Sequence, residues 1–271
     1  MVDFVSRPKF EEYREQFKEF FVMERRNGII MLRMHTEGGP VRWTWQAHNA
    51  VGQAWHVIGN DPENEVMILT ATGPHWVGYL DADMKAMDKR GKVGYDYTMY
   101  DACKLVENLV FDLDIPTIGA VTGPGIHTEM GLFCDITLCS EQAEFSDPHF
   151  LGGEVPGDGQ GLSLQGLIGI KRAAYCMYTG QRIDARTALE LGLVNEVLPM
   201  DKLLPRAWEI AEEIMRAPRV ARRMTSQLIK RPWQRLIMND FRMQMAYEFY
   251  AHKEEKATWG SAPIPTWGED K

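Results

Sequence analysis

The chain has 271 residues, 45% of them hydrophobic, which is enough to bury a substantial core as one large domain or one domain with an appendage. A formal net charge of -8 provides no basic footprint for nucleic acid or an anionic membrane surface, so a small molecule or another protein is the expected partner. No apolar run has membrane-spanning length, and the opening MVDFVSRPKFEEYREQF lacks a signal-peptide core, which makes the cytoplasm the expected location.

In chain order, residues 8–20 alternate charged and aromatic positions and suit a short amphipathic helix or an ordered arm. Phe20–Glu24 and Gly28–His35 read as companion strands. Apolar Ala47, Val51, Ala54, Val57 and Ile58 then recur at helical spacing until Asp61-Pro62 ends the helix. Val66–Thr72 reads as a fully buried strand, residues 73–98 as a glycine-broken charged loop, and 99–111 as a helix with Cys103, Val106, Leu109 and Val110 inward. Strand, helix, strand, helix, strand favours an α/β core with parallel pairing. Neither GxGxxG nor GxxxxGK[ST] is present in the expected place, so no nucleotide-phosphate loop is indicated.

The segment Ile115–Gly161 follows, with β-rich runs at Thr117–Val121 and Cys134–Leu138 bounded by turn residues. His127, Glu129, His149 and Asp158 fall in its loops. Acid, base and donor groups on loops fixed by buried strands can form a catalytic constellation, although ordinary surface loops have the same composition. Beyond it, Leu162–Ile170 and Arg172–Tyr178 read as helices, Asp184 as the N-cap of Ala185–Leu191, Gly192 as its stop, and Val194–Leu198 as a last strand. Three helical stretches follow, separated by Pro218 and by Pro232, the latter at a first helical turn. Cys103, Cys134, Cys139 and Cys176 form no CxxC pair and suit buried thiols. The expected organisation is an α/β core over 1–200, a helical region over 201–257 and an extended tail over 258–271.

The segments VMILTATGPHW, IPTIGAVTGP, CDI at 134–136, AEFSDPHF, GGEVPGDG and TGQRIDARTALELGLVNEVLP, in this order, resemble the crotonase (enoyl-CoA hydratase/isomerase) superfamily from about residue 20 to 255. The resemblance implies a spiral of ββα units with a C-terminal helical region that packs trimers, often paired into hexamers. The departures carry chemical information. Where coenzyme A-using members have a glycine run, this chain has Gly125-Ile126-His127-Thr128-Glu129, which sets an imidazole in space otherwise open to a thioester.

Within the superfamily the chain is most similar to the β-diketone hydrolases, 6-oxocamphor hydrolase among them, which cleave carbon-carbon bonds by a retro-Claisen reaction without coenzyme A. The resemblance implies catalytic roles for His127 in GIHTE, His149 in DPHF, Asp158 in VPGDG and Glu248 in MAYEF. It implies substrate contacts from Trp43, Trp76, Gly78, Tyr79 and Glu129. No cofactor and no metal is implied. Within this reading His149 activates water, Asp158 fixes its tautomer, and His127 binds the developing enolate oxygen. The alternatives are a divergent CoA-thioester hydratase, isomerase or decarboxylase, with Lys85, Lys89, Arg90 and Lys92 as candidate contacts for an adenine-diphosphate group, and a non-catalytic binding or assembly protein.

Overall fold

A computed structural model describes residues 5–80 and 96–255. Its centre is a six-stranded sheet built from β1 (Phe21–Arg26), β2 (Ile29–Met34), β4 (Val66–Ala71), β6 (Thr117–Val121), β7 (Ile136–Ser140) and β10 (Glu196–Leu198), paired in that order. Only β1 and β2 run antiparallel; every other pair is parallel. The run VMILTA of β4 is buried at all six positions, as a strand covered on both faces requires. Two short pairs flank the sheet: β3 (Arg42–Trp43) with β5 (Tyr79–Leu80), and β8 (Glu144–Phe145) with β9 (Ile183–Asp184).

Helices sort to the two faces by strand periodicity. Ile30, Leu32, Met34, Met67 and Leu69 share the larger core with α2 (Trp45–Asn60) and α3 (Ala102–Phe111). Ile29, Met31, Val66 and Ile68 face the other way and pack on Leu203, Ala207 and Ala211 of a C-terminal helix, Met200–Met215. The sequence reading of a mixed α/β core with a distinct C-terminal helical region is the observed architecture. No helix of the described residues is long and apolar enough to cross a membrane, and all four cysteines are free and buried.

Local signals account for several boundaries. The Asp184 carboxylate accepts from the Thr187 N–H at 2.7 Å, and Gly192 closes that helix at φ 77°, a left-handed cap that glycine adopts without steric cost. Several boundaries differ from the sequence reading by a residue or two, and two have a visible cause. The strand expected at Cys134–Leu138 begins at Ile136, because the Asp135 carboxylate is drawn off to the Thr117 N–H at 2.9 Å and hydroxyl at 3.2 Å.

Pro232 does not start a helix but lies inside one, Arg219–Leu236. Anchors on both sides hold that helix across the missing N–H: Lys230 bonds the Leu113 and Ile115 carbonyls, and Trp233 packs edge-on to Phe133 at 5.0 Å. A π-helical turn, Ile237–Phe241, leads into the last helix, Arg242–Glu255. Lys85, Lys89, Arg90 and Lys92, and the tail from 258, lie outside the described residues.

Candidate active site

The loops after β4 and β6 are laced together before any polar side chain is placed. The Trp76 N–H donates to the Pro124 carbonyl and the Ile126 N–H to the Val77 carbonyl, both at 3.0 Å. A Cβ at Gly123 would sit 1.8 Å from the Pro74 carbonyl oxygen, and one at Gly125 2.5 Å from the Val77 nitrogen, so only glycine permits this approach. The chain then turns through His127 at φ 54°, a left-handed conformation unusual for a residue with a side chain. The Trp76 indole N–H fixes that turn by donating to the His127 carbonyl at 2.8 Å.

The turn delivers His127 into a buried row of acids and imidazoles. Its Nδ1 is 2.9 Å from Glu129 Oε1 and 3.6 Å from Asp158 Oδ2. The same Asp158 oxygen is 3.6 Å from Nε2 of His149, whose Nδ1 bonds Asp147 at 2.8 Å. The other Asp158 oxygen accepts from the Gln160 N–H at 3.1 Å. Glu248, on the last helix, accepts from the Gly157 N–H at 3.0 Å. Gln160 secures the base of the row, its Oε1 accepting from the Thr128 hydroxyl and the Glu129 N–H.

The electrostatics follow from crowding carboxylates around two imidazoles away from water. Burial pushes His149 down, but Asp158 and Asp147 outweigh it and hold the imidazole well above its ordinary value. His127 is likewise held up against burial, chiefly by Glu129. Glu129 is itself raised by burial, against the pull of His127 at 2.9 Å. Asp158 is driven up by burial yet kept low by His149 and His127. Burial raises Glu248 to about 8, with Asp158 and Glu154 adding to it against the pull of His149.

All four polar residues expected to be catalytic therefore meet. Glu129 is not in a loop as expected; it opens a short helix, Glu129–Leu132. The division of labour also needs correction. The carboxylate bonded to the far nitrogen of His149 is Asp147, while Asp158 stands between the two imidazoles.

Trp43 lies against His127, ring centroids 4.6 Å apart and tilted by 39°, with its buried indole N–H unbonded. Trp76 is fully buried as the support just described. Tyr79 packs on the His75 ring and beneath the Arg42 guanidinium, and Gly78 abuts the His75 side chain. Among the described residues, no hydrogen bond ties Gly78 or Tyr79 to the row.

Sequence reasoning missed Asp147, Gln160 and His48. His48 lies edge-on to His127 at 5.4 Å and beside Trp43 at 5.6 Å; burial lowers it to about 3, so it is neutral. Its only signal was an inward position on α2. Two donor sets, His127/Glu129/Asp158 and His149/Glu154/Glu248, have ligand atoms within 4.8 Å of one another and are close enough to hold a cation.

The sequence profile of the enoyl-CoA hydratase/isomerase family matches residues 26–261. The chain belongs to this family. A β-diketone hydrolase from the cyanobacterium Anabaena sp. PCC 7120, solved bound to (S)-3-oxocyclohexyl acetic acid, superposes with a TM-score of 0.85 at 33% identity, over 90% of this chain and 98% of that one. An enoyl-CoA hydratase/isomerase from Mycobacterium paratuberculosis has a TM-score of 0.80 at 22% identity over 86% and 93%, a likeness of fold. Carnitinyl-CoA dehydratase from Salmonella paratyphi A is 32% identical over 174 residues, 64% of this chain and 66% of the relative. The chain is thus a crotonase-superfamily enzyme that acts on a small molecule.

Proposed function

We propose that this family member hydrolyses a carbon-carbon bond of a cyclic or bulky β-diketone without coenzyme A. The observation that carries the reading is the pair of imidazoles, His127 and His149, each 3.6 Å from one Asp158 oxygen. A β-diketone cleaves after water adds to one carbonyl and the tetrahedral alkoxide collapses, expelling the other half as a resonance-stabilised enolate. The chemistry needs a base for water and a cationic donor for enolate oxygen, and later a proton returned to carbon.

In this reading His149, oriented by Asp147, takes the proton from water. His127, charged through Glu129, bonds the enolate oxygen, and the unbonded Trp43 N–H is a second donor beside it. Asp158 stabilises positive charge on whichever imidazole holds the proton. Because His149 is held well above its ordinary value, it must lose its resting proton to act as base, and turnover should rise with pH above neutrality.

A second reading has its own support. Carnitinyl-CoA dehydratases are among the sequence relatives, and this favours a CoA-thioester dehydratase or hydratase over the diketone reading. What weighs against it is local. Glu129, near the position of a hydratase glutamate, is fully buried and bonded to His127, and the His127 imidazole fills the loop where the thioester-using members have glycines.

Purified protein incubated with a panel of cyclic β-diketones should yield keto acids. Turnover of crotonyl-CoA with none of any diketone would replace the first reading by the second. We propose further that the last helices self-associate into trimers or hexamers. Val220, Leu228 and Met238 are 70%, 73% and 74% exposed, an apolar face a lone chain would leave in water. Light scattering giving 31.0 kDa would refute assembly.

A further inference from the structure

A second cavity lies on the face of the sheet opposite the acid–imidazole row. It has a volume of about 200 Å³ and is lined by Arg33, Thr70, Thr72, Thr122, Leu203 and Leu204 among others. Arg33 and Thr70 are register partners on β2 and β4, and Thr122 directly follows β6, so the polar side chains stand at the carboxyl ends of three neighbouring parallel strands. Ligands of open α/β sheets bind at that end.

The opposing wall is the first turn of the helix Met200–Met215, which presents Met200, Leu203 and Leu204. Its N-cap is Pro199, with no capping side chain, and the positive end of its dipole faces the cavity. Asp201, the acid of that turn, is exposed and pairs with Lys202 at 3.5 Å.

Arg33 is the anomaly. Its Nε is buried with no hydrogen-bond partner, and among the described residues no carboxylate lies within ion-pair distance of it. Arg222 and Arg223 also leave a buried Nε unbonded, but they, Arg25 and Arg206 each have a carboxylate at 2.9 Å or less. An unanswered guanidinium N–H out of water carries a desolvation cost that an anion entering the cavity removes. The Thr70 and Thr122 hydroxyls already donate to the Ala120 and His75 carbonyls, which leaves the Arg33 guanidinium as the donor to an anion here.

We propose that this cavity binds a small monocarboxylate, its head on Arg33 and its short carbon tail on Met200, Leu203 and Leu204. The planar guanidinium matches a carboxylate in a paired geometry. The apolar wall argues for a carbon tail, which inorganic phosphate lacks. The volume is below the roughly 300–1,000 Å³ of sites for drug-sized ligands and limits the ligand to a short chain. Occupancy bears on the first site through the loops rooted here: Thr72–Trp76 carries the indole that fixes His127, and Thr122–His127 carries the imidazole.

Calorimetric titration of the full chain with sodium hexanoate, at constant ionic strength, tests the proposal. Binding should weaken about tenfold to a hundredfold in Arg33→Met, the loss of one charged hydrogen-bonded contact, and should persist in His127→Gln, which separates this cavity from the acid–imidazole row. Leu204→Trp, which keeps the charge and fills the space, should also abolish it and serves if Arg33→Met does not fold. Unchanged affinity in Arg33→Met or Leu204→Trp, loss of binding in His127→Gln, or phosphate binding more tightly than hexanoate would overturn it.

Discussion

Two of the regions that bury ionisable side chains do so in opposite ways. Under the C-terminal helices, Lys230 donates to the Leu113 and Ile115 carbonyls and to Ser226, with Asp135 at 3.3 Å. Asp135 in turn accepts from Thr117 and Ser226. Each group meets opposite charge, although the second Asp135 oxygen is buried without a partner, and the cluster joins a helix to the ends of two strands. In the acid–imidazole row, five carboxylates surround two histidines, and Glu129 Oε2 and Asp147 Oδ2 are buried without partners. Burial alone therefore does not mark a reactive site. Several carboxylates crowded around two imidazoles do.

The sharpest break of the comparison is Asp158→Asn. It should lower kcat on the order of 10²- to 10⁴-fold, with little change in unfolding free energy, because it removes charge from the imidazoles and relieves carboxylate crowding at once. Steady-state kinetics beside a urea melt would read both. Lys230→Met should do the reverse. It leaves Asp135 buried and unpaired, and the expected loss of stability is roughly 3–5 kcal/mol with kcat nearly unchanged. A collapse of kcat in folded Lys230→Met would erase the distinction between the regions.

The pH dependence of stability sharpens it. His149 is raised in the folded chain, so its pairing contributes stability that is fully present below the unfolded value near 6.5 and is lost as pH rises through the folded value. The midpoint of urea unfolding should fall on the alkaline side in the wild type, and that fall should shrink in His149→Gln. Equal slopes would show that His149 is not held charged. The smallest effect is expected from Trp43→Phe, which keeps a ring against His127 but deletes the unbonded N–H. It should cost about 10-fold in kcat/KM, the low end for a hydrogen bond to a charged oxygen.

How far the sequence reached depended on the kind of physics involved. β4 was legible because the apolar run Val66–Leu69, continued by Thr70 and Ala71, suits burial on both faces, and the cap at Asp184 because its chemistry is local. Pro232 misled because local chemistry says that proline starts helices, whereas Lys230 and Trp233 on either side override it through distant contacts. His127, His149 and Asp158 stood out as polar groups in turn-bounded loops, but resemblance alone joined Glu248 to them; no periodicity links a loop after β6 to the last helix. Proximity in sequence paired His149 with Asp158 and passed over Asp147, since Asp-Pro-His reads as a turn. Arg33 gave no signal at all, because what distinguishes it is a missing partner.

The central claim is that His149 and Asp158 act as one proton-transfer unit. A double-mutant cycle on kcat tests it most directly, with His149→Ala, Asp158→Asn and the combination assayed on a turned-over β-diketone and folding checked by circular dichroism. The account predicts a double mutant little worse than either single one, since removing one member already disables the unit. Fully additive losses would contradict it and would move the search for the base to Glu248 or Glu129.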